Sequence, residues 1–126
     1  MPDRATVETF IAQVLSGDHV GAIRDWYAED ASMQENQDAP RVGRETLMAG
    51  EAEMLSRMAK VETELLSPAM VNGDQVAIHW RFTFTSARRG TVRTLEEVAW
   101  QTWRGDKIWR ERFFYDPAQM APPTAK

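Results

Sequence analysis

Three glutamates in this chain are spaced so that each falls among large apolar side chains, company in which a carboxyl group can carry out proton transfer. Glu35 is delivered by a short strand that follows Trp26-Tyr27-Ala28-Glu29-Asp30. Glu97 shares strand parity with Leu95, Ala99 and Trp103, and Glu111 shares it with Trp109, Phe113 and Tyr115. A strand bulge would reverse either of the last two. Burial and mutual repulsion both raise a carboxyl pKa, which would poise one of these groups to accept or deliver a proton near neutral pH. Plainer roles stand beside this one. Glu35 could be solvated or paired with Arg41 or Arg44, and Glu97 and Glu111 could pair across strands with Arg93, Arg110 or Arg112. Tyr27 and Tyr115 suit core aromatics with a satisfied hydroxyl as well as proton donors. His79, on the polar face of its strand, reads as an interface or surface residue, and Asp116 before Pro117 as a strand terminator.

These groups must be positioned by two kinds of element. Val7, Phe10, Ile11, Val14 and Leu15 recur at helical spacing and mark a first helix that ends at Gly17. Asp18 is a suitable N-cap for a second helix carrying Val20, Ile23, Trp26 and Tyr27, so the two form a hairpin. After the strand through Met33 and Glu35, the segment 44–59 sets Leu47, Met48, Met54, Leu55 and Met58 on one face of a third helix. From Val61 the pattern changes to period two, with reversals at Asn72-Gly73, Arg89-Gly90 and Gly105-Asp106, which predicts four consecutive antiparallel strands. Val76, Ile78, Trp80, Phe82 and Phe84 form an apolar strand face that the helices must cover. The expected architecture is an α+β cone, with three N-terminal helices packed into a curved, mostly antiparallel sheet.

Composition narrows the function. The 126 residues, 43% hydrophobic and 27% charged, suffice for one core and one globular domain. We expect that domain over residues 1–118, with a flexible tail over 119–126. A net charge of -4 disfavours nucleic acid, despite Arg88 and Arg89 in a turn. The absence of cysteine excludes disulfides, thiolate nucleophiles and thiolate metal sites. Asp3 and Glu8 at the N-terminus, with no apolar run of about 18 residues, argue against membrane insertion and for a cytoplasmic location.

The helix hairpin, Tyr27-Ala28-Glu29-Asp30-Ala31 leading into a strand, Gly43-Arg44-Glu45 opening a helix, and a meander ending Gly105-Asp106-Lys107-Ile108 and Phe114-Tyr115-Asp116-Pro117 resemble the SnoaL-like, ketosteroid-isomerase-like branch of the nuclear transport factor 2 superfamily. The likeness runs from about residue 5 to residue 118. It implies a cystatin-like cone with a pocket closed by the helices, usually in a homodimer through the sheet. It does not name a reaction, because the fold hosts isomerases, cyclases, epoxide hydrolases, dehydratases and binding modules.

Matching to ketosteroid isomerases puts Glu35 at the position of their proton-abstracting carboxylate. Their two oxyanion donors match Phe10 and Ala99, which cannot donate, and losing one such donor costs about 3–4 kcal/mol. Tyr27 or Tyr115 would have to substitute. The opening stretch also resembles limonene epoxide hydrolase, but the water-holding positions there match Phe113, Trp80, Phe82, Met33 and Glu35, four of them apolar. SnoaL-type cyclases use an aspartate and a histidine near the end of the sheet. Here His19 falls in the helix–helix turn and His79 on an outer strand face, so that pair is not evident.

The resemblance therefore implies a hydrophobic pocket walled by Phe10, Met33, Trp80, Phe82, Trp103, Phe113 and Tyr115, entered by Glu35, Glu97 and Glu111. An apolar shell without an inward histidine is a poor metal site, and no cofactor is called for. The expected function is a cofactor-independent acid–base isomerase, cyclase or dehydratase on a hydrophobic small molecule, with Glu35 as base and Tyr27 assisting. The alternatives are a noncatalytic small-ligand-binding module, which would suit a hydrophobic cation, and a dimeric interaction domain. Some of the five tryptophans would then cover the dimer face.

Overall fold

Asp3 accepts a hydrogen bond from the Thr6 amide and so starts α1 (Arg4–Leu15), whose buried face is Val7, Phe10 and Ile11. The computed structural model describes residues 1–121. Leu15 is turned outward and largely exposed, so the apolar stripe of α1 stops at Val14. Asp18 caps α2 (His19–Trp26) by accepting from the Gly21 amide at 3.1 Å. Tyr27, which helical spacing assigns to this helix, instead begins β1 (Tyr27–Glu35), where it pairs with the last strand. The chain reverses through β2 (Arg41–Val42) into α3 (Arg44–Ser56).

Helix α3 stops short of Ala59, because Met58 pairs with Ser86 and opens β3 (Met58–Leu65). Met58 fits either period, and the strand ladder decides it. There follow β4 (Met70–Asn72), β5 (Gln75–Ser86), β6 (Val92–Arg104) and β7 (Lys107–Phe114). The sheet runs β2-β1-β7-β6-β5-β3, with the short β4 also on β5. Only the β1–β7 pair is parallel, so three helices cover one face of a mixed, mostly antiparallel sheet.

The core lies at the closed end of this arrangement. Phe10 meets Trp26, Tyr27 and Trp103 edge-on, at centroid distances of 6.2, 6.2 and 6.1 Å, over Ile78 and Ile108. A bulge between β6 and β7 shifts the pairing from Thr102↔Arg110 to Trp103↔Ile108. Trp109 is the extra residue. It leaves the inner face, against the alternation expected from Glu111, and Ile108 takes its place beside Trp103 with no exposed surface. The Arg110 guanidinium lies 4.0 Å from the Trp109 ring on the outer side.

Part of the segment expected to be a tail is tied down. Pro117–Met120 forms a 3-10 turn, and the Gln119 side chain bonds both backbone groups of Glu96, accepting from its N–H at 2.9 Å and donating to its carbonyl at 3.0 Å. Arg93 donates to the carbonyls of Met120 and Ala121. The remaining tail residues, 122–126, lie outside the described residues. No helix among the described residues is long and apolar enough to cross a membrane.

Gly43 sets the angle at which α3 leaves β2. Its backbone has φ 105° and ψ 124°, its N–H donates to the Ala31 carbonyl at 2.8 Å, and its carbonyl accepts from Leu47. A Cβ there would meet nothing closer than the Thr46 hydroxyl at 3.7 Å, so only backbone conformation opposes a side chain. Gly43→Ala should therefore destabilise by about 1–3 kcal/mol, read as a lower urea midpoint at unchanged slope.

Candidate active site

Of α3 only Leu47 is buried, because the rest of its inner face looks onto space rather than onto the sheet. That space is a cavity of about 450 Å³, within the usual range for a small-molecule site. Three transverse rows of the concave sheet face supply its chemistry. Register places Met33, Glu111 and Gln101 across β1, β7 and β6, then Glu35, Phe113 and Ala99 in the next row. Glu97 lies opposite Trp80 nearer the open end. Along β5 the buried Val76, Ile78 and Trp80 give way to half-buried Phe82 and Phe84, so the core grades into the cavity wall.

The carboxyls have unlike surroundings. Glu111 is buried, accepts from the Gln101 amide at 2.6 Å through Oε2, and accepts from the Tyr27 hydroxyl through Oε1. Burial pushes it up to about 7, against the pull of those two donors. Glu97 is 8% exposed and, among the described residues, has no hydrogen-bond partner. Burial, with the nearby carboxyls of Glu111, Glu35 and Glu51, pushes it up to about 8. Burial and the neighbouring Glu111 hold the Tyr27 hydroxyl well above the usual phenol range, leaving it a neutral donor. Glu35 sits at the mouth in a 2.6 Å ion pair with Arg41, one of the pairings its neighbours allowed. The cross-strand arginine pairs considered for Glu97 and Glu111 do not form, since Arg110 and Arg112 lie on the outer face with Trp109 and Phe114.

Tyr27, Glu35, Glu97 and Glu111 all line the cavity, together with Phe10, Met33, Trp80, Phe82, Phe113 and Tyr115. Trp103 does not. It lies behind the floor, 2% exposed, with its indole N–H donated to Gln101.

A SnoaL-like domain matches residues 7–111. The chain belongs to this family. Among solved structures, the SnoaL-like domain here is 28% identical to a candidate SnoaL-like polyketide cyclase from Mesorhizobium loti, with a TM-score of 0.76 over 91% of this chain and 100% of that one. A Catenulispora acidiphila protein of ketosteroid-isomerase-like fold, solved with trimethylamine, is 20% identical, with a TM-score of 0.73 over 92% and 87% of the two chains. TerC, co-crystallised with polyporic acid, is 17% identical, with a TM-score of 0.74 over 92% of each chain. The last two likenesses concern fold alone. No curated protein matches the chain.

Three polar residues of this SnoaL-like domain escape sequence reasoning. Gln101 has the parity of Glu97 and Ala99, so alternation alone could have found it. His19 is the first residue of α2 and buried, and the expectation of no inward histidine does not hold. Its ring faces the cavity, with Nε2 3.1 Å from the Thr63 hydroxyl and Nδ1 3.6 Å from Glu51. Glu51 stands one helical turn from Leu47 and from Met54, inside the apolar stripe of α3, so the same period that marks those residues as inward could have found it.

The two raised carboxyls fix a pH dependence of stability. A group raised from 4.5 in the unfolded chain to about 8 or about 7 in the fold contributes fully below pH 4.5 and loses that contribution as pH rises through the folded value. The exposed Asp25, held down to about 2 by Arg24 and Gln13, acts in a separate window below the usual carboxylate range. The melting temperature should accordingly fall between about pH 5 and pH 8. Calorimetry should find that slope flattened in Glu97→Gln and in Glu111→Gln.

Proposed function

We propose that the cavity is the active site of a cofactor-independent acid–base enzyme, an isomerase, cyclase or dehydratase acting on a hydrophobic carbonyl compound. The observation that carries this reading is the pair of buried carboxyls in unlike settings, Glu111 with two donors and Glu97 with none. Two donors favour the ionised form, which suits Glu111 to remove a proton beside the carbonyl. The electron pair moves onto the carbonyl oxygen, where protonated Glu97 donates a hydrogen bond to the developing enolate. The base then returns its proton to another carbon, or the enolate attacks an internal electrophile. Along β6, Glu97 stands four residues from the partner of Glu111, about 13 Å of strand, so an extended or conjugated substrate fits the span. In this reading Glu35 orders the mouth with Arg41 and is not the base. The Mesorhizobium loti neighbour, a candidate polyketide cyclase, supports the cyclase member of this group.

A binding module without turnover is the second reading. Aromatic walls with acids suit a hydrophobic cation, and the Catenulispora acidiphila neighbour holds trimethylamine.

Deuterium uptake by 1-tetralone and related aryl ketones, followed by NMR in heavy water, separates the two readings. Exchange should rise with pH through about 7 as Glu111 ionises and fall through about 8 as Glu97 does. Glu111→Gln should lose about 10²–10⁴-fold, and Glu97→Leu about 10²–10³-fold. Glu97→Gln, which keeps a donor, should lose less and lose the falling limb. Glu35→Gln should retain most activity. Exchange no faster with the wild type than with Glu111→Gln would leave the binding reading.

The same proposal includes a homodimer through the outer sheet face, where Trp100 is 48% and Phe114 44% exposed. Trp100 lies opposite Arg112, whose guanidinium covers Phe114 at 4.8 Å, a mixture of aromatic and arginine side chains common at interfaces. Sedimentation should find the wild type dimeric and Trp100→Glu monomeric at the same concentration.

A further inference from the structure

Gln101 has no exposed surface and sits between two groups that leave its amide one orientation. The Trp103 indole N–H lies 2.9 Å from Oε1, and an indole can only donate, so that atom must be the accepting oxygen. The amide nitrogen, 2.6 Å from Glu111 Oε2, is then a donor as well. Oε2 of Glu111 must accept along that contact, so no proton can lie there, and among the described residues no second hydrogen-bond partner meets Oε2 to take a proton from its remaining lone pair. The other oxygen, Oε1, meets the Tyr27 hydroxyl, which can donate to a carboxylate or accept from a carboxylic acid.

We propose that Gln101, locked by Trp103, is a positioning residue that confines the titrating proton of Glu111 to Oε1, the oxygen it shares with Tyr27. Protons then enter and leave Glu111 on the side where Tyr27 lines the cavity, and the Tyr27 hydroxyl reverses its bond each time. When Glu111 is ionised, Tyr27 donates to Oε1. When Glu111 is protonated, its O–H donates to the Tyr27 oxygen, and the phenolic hydrogen turns toward a bound molecule. The use of this arrangement in catalysis rests on Glu111 being the base, but the placement of the proton does not.

Other titratable or charged side chains face the same space. Glu35 from β1, Glu97 from β6, Glu51 from α3, His19 from α2, and the arginines Arg41 and Arg93 line the cavity. Arg41 is engaged by Glu35, and Arg93 by the carbonyls of Met120 and Ala121. Arg44 donates to the backbone carbonyl of Tyr27 at 3.4 Å. Among the described residues, Gln101 and Tyr27 alone make side-chain hydrogen bonds to the Glu111 carboxyl, so deleting one of them should register directly in its titration.

The test is a pH titration of glutamate carboxyl carbons by NMR in ligand-free protein, with Glu111 assigned from Glu111→Gln. Gln101→Met, similar in volume and without a donor, should raise the Glu111 midpoint by about one unit or more. Trp103→Phe frees the amide to rotate and should raise it by a smaller amount. The Glu97 midpoint should move less in both. In the wild type, the Tyr27 Cζ resonance should follow the Glu111 midpoint. An unchanged midpoint in the folded variants overturns the proposal, as does a Tyr27 Cζ that ignores the titration. Should Gln101→Met fail to fold, Trp103→Phe decides alone. Because no substrate is present, these outcomes are independent of ketone exchange. A shifted midpoint without turnover would retain the positioning role and reject the enzyme.

Discussion

One concave sheet face has to serve as half of a hydrophobic core and as the wall of a cavity. Only alternate residues of each strand reach that face, so every polar group admitted to the cavity takes a place that packing would fill with an aliphatic or aromatic side chain. The conflict is resolved by position along the strands. Toward the closed end, Ile78, Trp103 and Ile108 pack beneath Phe10, and toward the open end Phe82, Phe84 and Glu97 face space. Helix α3 is held off the sheet as a consequence, and the angle set at Gly43 keeps it there.

A carboxyl group in such a place opposes folding unless it is paired or neutral. Glu111 takes the first course, with an amide and a hydroxyl as partners. Glu97 takes the second, since proximity to other acids and lack of a partner favour its proton. The same surroundings that burden the fold separate the two groups chemically. A cross-strand arginine on either carboxyl would have stabilised its charge and erased that difference. The bulge at Trp109 contributes here, because upstream of it β7 would otherwise present an indole where Ile108 now packs.

Much of this layout was legible in the chain. The Asp18 cap, the reversals at glycine pairs and the alternation of β5 each follow from local physics that tertiary contacts did not override. The end of α3 was not legible, because Met54 and Met58 satisfy a helical period until the ladder with β5 claims the second of them. Glu97 and Glu111 were reachable by parity, and the family likeness drew Glu35 forward because it shares a position with a known base. What parity lacks is depth. Glu35 and Glu111 both point inward, yet one meets Arg41 at the mouth and the other lies beneath Tyr27. Trp103 was read as wall for the same reason. Glu51 was reachable by the helical period it shares with Leu47 and Met54, but its meeting with His19 depends on how two helices cross, a relation between segments about thirty residues apart that no local period encodes.

The Gln119 side chain has an effect that reaches past the cavity. Strand β7 ends at Phe114, which leaves the first residues of β6 without a neighbour on that side. By meeting both the N–H and the carbonyl of Glu96, one side-chain amide imitates a single rung of a strand that is not there. An exposed edge of this kind is a template on which a foreign strand can add and from which aggregates grow. With the rung occupied and the 3-10 turn lying over it, that route to fibrous stacking is blunted.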